Sequence, residues 1–133
     1  MPIYKLTDTL SVSAQITPQD VPQLAEQGYT AVVCNRPDYE SPGQASMEAI
    51  ETACHSVGLL FVRYPVNAMN FPGQDLEGLG ELFDDPSHVV VAYCRTGTRC
   101  ANLWVATRAE EDLAGAVQTA REIGFDLSMI VSL

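Results

Sequence analysis

Val89-Val90-Val91-Ala92-Tyr93-Cys94-Arg95-Thr96-Gly97-Thr98-Arg99-Cys100 is the stretch whose reading decides the fold. Its first five residues form a short apolar run rich in β-branched side chains, the pattern of a strand buried on both faces. The run delivers a cysteine to its carboxyl end, a loop with one glycine follows, and a helix is expected from about Cys100. A strand that hands over to a helix in this way is a unit of a parallel sheet with helices on its faces. Ligands of such sheets bind beyond the carboxyl ends of the strands, which is where Cys94 stands.

The same cycle repeats upstream. Leu10-Ser11-Val12-Ser13-Ala14 alternates with period two, as a short strand does. Thr17-Pro18-Gln19-Asp20 has a capping residue, proline at the first helical position and an acid in the first turn, and the helix it opens closes at Gly28. Residues 29–34 read as a buried strand ending at Asn35-Arg36-Pro37-Asp38. Residues 44–57 carry a helical apolar stripe closed by Gly58, and 59–64 form another strand ending at Pro65. Residues 75–84 read as a short helix, and two helices, 100–110 and 112–123, follow the cysteine loop, the last stopped by Gly124. The expected architecture is α/β: a three-layer α/β/α fold with a mostly parallel sheet, in one domain over 1–133.

Composition sets the boundaries of function. The 133 residues are 47% hydrophobic and 18% charged, ordinary values for a globular chain. No apolar run approaches the roughly 18–20 residues of a membrane span, and the amino terminus has no basic segment followed by an apolar one, so a cytoplasmic location is expected. The net charge of −10, from 17 acidic and 7 basic residues, repels phosphate backbones and anionic lipid. Nucleic acid and membranes are therefore not expected partners. Cys34, Cys54, Cys94 and Cys100 contain no C-x-x-C pair, and His55 and His88 stand at no ligand spacing to them, so neither metal nor cofactor is implied. Cys34 and Cys54 read as core filler, and Trp104 as a residue that fastens its helix to the sheet.

Three of the seven cations, Arg36, Arg95 and Arg99, lie on segments that leave one sheet edge. That placement suits an anion, although Arg36 has the alternative of pairing with Asp38 or Glu40. In the loop 94–99, backbone N–H groups of Arg95, Thr96, Gly97 and Thr98 can converge on an anion, reinforced by the helix N-terminus. The same field lowers a cysteine's pKa. Arg99 can clamp two oxygens in its planar fork. Cys94 is thus a candidate nucleophile, Arg99 a charge stabiliser, and Arg95, Thr96, Gly97, Thr98 and Arg36 candidate substrate-binding residues.

Cys-Arg-Thr-Gly-Thr-Arg after an apolar strand resembles the active loop of cysteine-dependent phosphatases and that of rhodanese sulfurtransferases. Tyrosine and dual-specificity phosphatases place five residues between the two ends, whereas four separate Cys94 from Arg99, which is closer to the rhodanese loop. The Asp-x-Arg strand end and Gly-His-Ile-x-Gly-Ala stretch of rhodaneses are absent. Leu10-Ser11-Val12-Ser13-Ala14-Gln15-Ile16-Thr17-Pro18, Gly28-Tyr29, Asn35-Arg36-Pro37-Asp38, Tyr64-Pro65-Val66 and the 94–99 loop resemble, in order, a bacterial β-lactamase-hydrolase-like, phosphatase-like family. The resemblance implies a dual-specificity-phosphatase-like fold, Cys94 as nucleophile and Arg99 as phosphate binder. It departs in two places. The loop after residue 64 has Asn67 and Asn70 where a general acid would serve, which leaves Asp38 or Asp75 as the expected acid. Cys100 replaces the usual Ser or Thr donor to the thiolate, and six positions from Cys94 it is also a redox candidate able to form a disulfide with it.

The expected function is a hydrolase working through a phosphocysteine on a phosphorylated or other oxyanion substrate. A sulfurtransferase or persulfide carrier at Cys94 is the alternative. A non-catalytic oxyanion-binding module is the third class.

Overall fold

A computed structural model describes residues 2–130. Five strands form one sheet: β1 (Ile3–Lys5), β2 (Leu10–Ser13), β3 (Ala31–Cys34), β4 (Leu60–Arg63) and β5 (Val90–Tyr93), in the order β1-β2-β5-β3-β4. β1 runs antiparallel to β2, and every other pairing is parallel. Five helices connect them: α1 (Val21–Glu26), entered through a 3₁₀ turn at Pro18–Asp20, α2 (Met47–Ser56), α3 (Leu76–Asp84), α4 (Thr98–Ala106) and α5 (Glu110–Ile123). None of these helices is long and apolar enough to cross a membrane.

Strand alternation builds two cores. Val32, Cys34, Phe61, Val91 and Tyr93 face α1 and α2, burying Val21, Leu24, Ile50 and Cys54. Leu10, Val12, Ala31, Val33, Val90, Ala92 and Cys94 face the other way, against Leu79 and Phe83 of α3, Leu103 and Trp104 of α4, and Ala116 and Ala120 of α5. The three-layer, mostly parallel arrangement expected from the sequence is therefore the observed one. Cys34, Cys54 and Trp104 are core residues, and the indole also lies 5.5 Å from the Arg108 guanidinium.

The capping chemistry holds the connections. Both the N–H and the hydroxyl of Thr17 donate to Asp20 Oδ2, at 2.8 and 3.0 Å. Ser46 Oγ accepts from Ala49 N–H at 3.1 Å, and Asp75 Oδ1 accepts from Gly78 N–H at 3.0 Å. Each side chain occupies a helix-end donor that would otherwise be orphaned.

The differences from expectation lie at ends. β1 was not expected, because three residues are too short to show a period. α4 begins at Thr98, two residues before Cys100, since Gly97 at φ +93° lets the chain enter the helix directly. It ends at Ala106, before the expected 110, where the Thr107 hydroxyl (2.6 Å) and the Arg108 Nε–H (3.3 Å) both turn back onto the Trp104 carbonyl. α5 accordingly starts at Glu110 and closes at Gly124, φ +114°.

The parallel strands finish level: Ser13 is opposite Tyr93, Tyr93 opposite Cys34, and Cys34 opposite Arg63. The residues that follow, Ala14, Cys94, Asn35 and Tyr64, therefore leave the sheet at one height. Phe83, fully buried under this sheet, fixes α3 to it. Phe83→Ala is expected to lower unfolding free energy by about 3–5 kcal/mol, measured by urea denaturation.

Candidate active site

Cys94 follows β5, and its N–H donates to the Ser13 carbonyl of β2 at 3.2 Å. On the other side of β5, Asn35 ties the next strand ends together. Its N–H donates to the Tyr93 carbonyl, its Nδ2 to the Tyr64 carbonyl (2.9 Å), and its own carbonyl accepts from Val66 N–H. The cysteine thus stands on a floor of bonded strand ends, 1% exposed.

The loop turns back over the sulfur. Gly97 N–H donates to Cys94 Sγ at 3.1 Å. Gly97 sits at φ +93°, and a Cβ there would lie 3.2 Å from the Phe125 ring, so both backbone and space ask for glycine. Thr96 and Thr98 share a hydroxyl–hydroxyl bond of 2.9 Å that braces the turn. Asn102, buried in α4, donates through Nδ2 to the Thr98 carbonyl and to the Asp126 carbonyl, both at 2.8 Å. The loop is preformed.

The Cys94 thiol is drawn down to about 6. The largest cause is a hydrogen bond from the Cys100 thiol; burial opposes it, and the N–H groups of Cys100, Thr96 and Gly97 add to the lowering. A thiol is an ordinarily weak donor, but here it is fully buried. Complete burial, and after it the same bond, push Cys100 well above the ordinary thiol range. The two thiols are thus shifted in opposite directions, Cys94 down and Cys100 up.

Arg99 reaches the site from the first turn of α4. Its Nη1 donates to Glu40 Oε2 at 2.8 Å and its Nη2 to Glu40 Oε1 at 2.7 Å; Nη1 also donates to the Val66 carbonyl at 2.9 Å. A guanidinium has five N–H donors. Glu40 takes the edge formed by the two terminal nitrogens. Nε–H and the second Nη2–H, the side-on fork, have no protein acceptor among the described residues. That edge suits two oxygens of an oxyanion. Glu40 is held below the ordinary carboxylate range, chiefly by Arg99, and Arg99 is raised chiefly by Glu40.

Arg36 is 4% exposed, and its fork is spent inside the protein: Nε on Glu40 Oε1 (2.9 Å), Nη1 on Gln15 Oε1 (3.0 Å) and Nη2 on Ser41 Oγ (2.9 Å). The pairing with Glu40, weighed from the sequence as an alternative, is the one the structure has. Glu40 as the partner of Arg99 was not foreseen; the only signal was its four-residue spacing from Arg36. Arg95 and Thr96 are exposed at the rim.

The two candidate acids are occupied elsewhere. Asp38 Oδ1 accepts from Met47 N–H at 2.9 Å at the start of α2, and Asp75 is the N-cap of α3. Neither shares a hydrogen bond with Cys94 or Arg99 among the described residues. Asn67 and Asn70 clasp one another, Asn67 N–H on Asn70 Oδ1 (2.7 Å) and Asn70 N–H on Asn67 Oδ1 (3.2 Å), and so hold the loop that presents Val66. Between Asp38 and Glu40, Tyr39 is the one non-glycine residue at positive φ (+67°) among the described residues, a conformation costing an L-residue about 1–2 kcal/mol.

Cys94 is expected to react with iodoacetamide at a rate that rises with pH through about 6, because only the thiolate attacks. Cys100→Ala removes the largest lowering cause, so the midpoint moves upward; Cys100→Ser restores a donor and moves it back. The pH–rate profile of alkylation, read by mass spectrometry at Cys94, checks both.

Over residues 3–111 the chain matches the family described as beta-lactamase hydrolase-like protein, phosphatase-like domain. A candidate phosphatase from Neisseria meningitidis Z2491 is 35% identical and superposes with a TM-score of 0.81, over 96% of this chain and 92% of that one. The beta-lactamase hydrolase-like protein of Agrobacterium fabrum is 27% identical over 96% of this chain and 30% of its own length. The chain therefore spans about a third of the curated relatives it matches. At 16% identity, the core catalytic domain of the PP-IP phosphatase SIW14 from S. cerevisiae shares the fold, with a TM-score of 0.68 over 94% of this chain and 76% of that one. With the match running through the Cys94 loop and a phosphatase-type sheet beneath it, the chain belongs to the phosphatase-like domain family of beta-lactamase hydrolase-like proteins.

Proposed function

We propose that the chain is a cysteine-dependent phosphomonoester hydrolase. The observation that carries this reading is geometric: Cys94 Sγ lies under the Gly97 N–H at the floor of its loop, and the Arg99 fork keeps an outer edge that Glu40 leaves free. Cys94 Sγ attacks phosphorus, and the P–O bond to the leaving group breaks. Loop N–H groups and Arg99 hold the three equatorial oxygens as charge develops on them. Water then attacks the phosphocysteine, releasing inorganic phosphate and restoring the thiolate. Rim residues Arg95, Thr96 and Thr98 lie where an incoming phosphate would pass.

The proton for the leaving oxygen is the weak link. Asp38 and Asp75 are each bonded to a backbone N–H, and the nearer loop offers Asn67 and Asn70. General-acid help is worth about 10²–10⁴-fold and matters most for poor leaving groups. This reading therefore favours substrates whose leaving group departs as a stable anion. Cys100 serves here as the thiolate's donor; a disulfide with Cys94 would need it as an attacking thiolate, which its burial opposes.

One observation favours a second reading. Four residues between Cys94 and Arg99 make a loop shorter than a phosphatase's, and a persulfide needs room for a single sulfur and no acid. In that reaction the Cys94 thiolate takes the outer sulfur of thiosulfate, sulfite leaves, and cyanide removes the sulfur as thiocyanate.

The test is direct. The protein is expected to hydrolyse p-nitrophenyl phosphate slowly and glycerol phosphate at least about 100-fold more slowly, with Cys94→Ser abolishing both. Asp38→Asn and Asp75→Asn are expected to change the aryl ester rate little. Transfer of sulfur from thiosulfate to cyanide, with the aryl phosphate untouched, overturns the phosphatase reading.

A further inference from the structure

Gln15 follows β2, on one flank of the Cys94 loop. Its N–H donates to the Arg95 carbonyl at 3.3 Å, which carries the β2 to β5 ladder one bond beyond the Cys94 N–H on Ser13. Its side chain has two partners of opposite kind. Oε1 accepts from Arg36 Nη1 at 3.0 Å, and Nε2 donates to the Ile16 carbonyl at 2.9 Å. A guanidinium only donates and a carbonyl only accepts, so an amide in this one orientation serves both, and a carboxylate does not.

Arg36 comes from the other flank. In the sheet β5 lies between β2 and β3. Arg36 follows β3, so its guanidinium bridges the segments on either side of the cysteine strand. From Gln15 the bonds run through Arg36 to Glu40 Oε1, and from Glu40 to Arg99. The chain from Arg99 back to Arg95 closes the path into a ring. One end of the loop is held by its Arg95 carbonyl and the other by its Arg99 side chain, and a single circuit holds both.

We propose that Gln15 is a positioning residue of this cradle: it fixes Arg36 from the β2 side and, through Arg36 and Glu40, the direction in which Arg99 faces a bound phosphate. The phosphate rests on the phosphatase reading. Without the Gln15 acceptor, a guanidinium that is 4% exposed keeps a donor with no partner, which is costly in a buried place. It then turns further onto Glu40, the acceptor it already shares with Arg99, and Arg99 loses part of its hold. Of the side chains in the ring, Gln15 is the one without charge. Replacing it therefore tests position while the charge of the site stays the same.

The variant is Gln15→Met, similar in length, with only a weak acceptor; Gln15 is half-buried, so the variant folds. In Cys94→Ser, binding of inorganic phosphate, read by calorimetry, is expected to weaken about three- to tenfold on Gln15→Met. Where Arg36→Met or Glu40→Gln has already opened the ring, the same change weakens it by less than about twofold. Glu40→Gln serves as the background on its own where Arg36→Met does not fold. With Cys94 intact, the pH midpoint of its alkylation rises on Gln15→Met, because the N–H groups of Thr96, Gly97 and Cys100 bear less squarely on the sulfur. A phosphate affinity within about twofold of the parent overturns the proposal. So does a loss of equal size in every background, which is a general loosening and not transmission through Arg36. Absence of phosphate binding in Cys94→Ser itself overturns the phosphatase reading. The alkylation midpoint, which needs no phosphate, then decides for Gln15: a rise upholds its positioning of the loop, and an unmoved midpoint overturns it.

Discussion

A single carboxylate, Glu40, stands between two guanidinium groups, and the site depends on it. Arg36 is buried and Arg99 nearly so, and without an anion between them they would repel one another in surroundings that screen charge poorly. Glu40 Oε1 accepts from both, at 2.9 and 2.7 Å. Two cations against one anion leave one positive charge, which faces the Cys94 thiolate. The thiolate offsets that charge, so in a chain of net charge −10 the cluster is locally balanced, and the loop N–H groups are the donors an incoming anion meets.

The sheet explains how three chain segments meet there. Strand ends in register bring the loops after β3, β4 and β5 to one height, so that Glu40, the Val66 carbonyl and Arg99 can bond without a long reach. Arg99 starts within the first turn of α4, the same turn whose Cys100 N–H helps hold the Cys94 thiol down. Thiolate, helix end and arginine are consequences of one turn at Gly97.

Much of this was legible in the sequence, for identifiable reasons. Buried strands bounded by glycine and proline, helices opened at Thr17 and Asp75, and a cysteine at a strand end are local patterns, set by neighbours within a few residues. What was not legible is long-range. Arg99 and Glu40 are 59 positions apart, and nothing in either neighbourhood announces the pairing. Asp38 and Asp75 looked available as acids because a carboxylate's occupation by Met47 or Gly78 N–H is decided by loop geometry, which spacing alone does not encode. The start of α4 at Thr98 was missed for a related reason: a glycine at positive φ can act as the helix cap, a role usually marked by a side-chain oxygen.

The Asn102 amide has a consequence beyond bracing the loop. One Nδ2 group serves both the Thr98 carbonyl and the Asp126 carbonyl, and the Phe125 ring lies where a side chain on Gly97 would fall. The stretch after α5 is therefore a wedge driven under the cradle. Drawing that stretch away would free Thr98 and open a void beneath Gly97, so the loop's amides would lose their common focus. The alignment of dipoles at Cys94 is held from a point far along the chain, and the rigidity of the cradle is as much a property of residues 125 and 126 as of the loop itself.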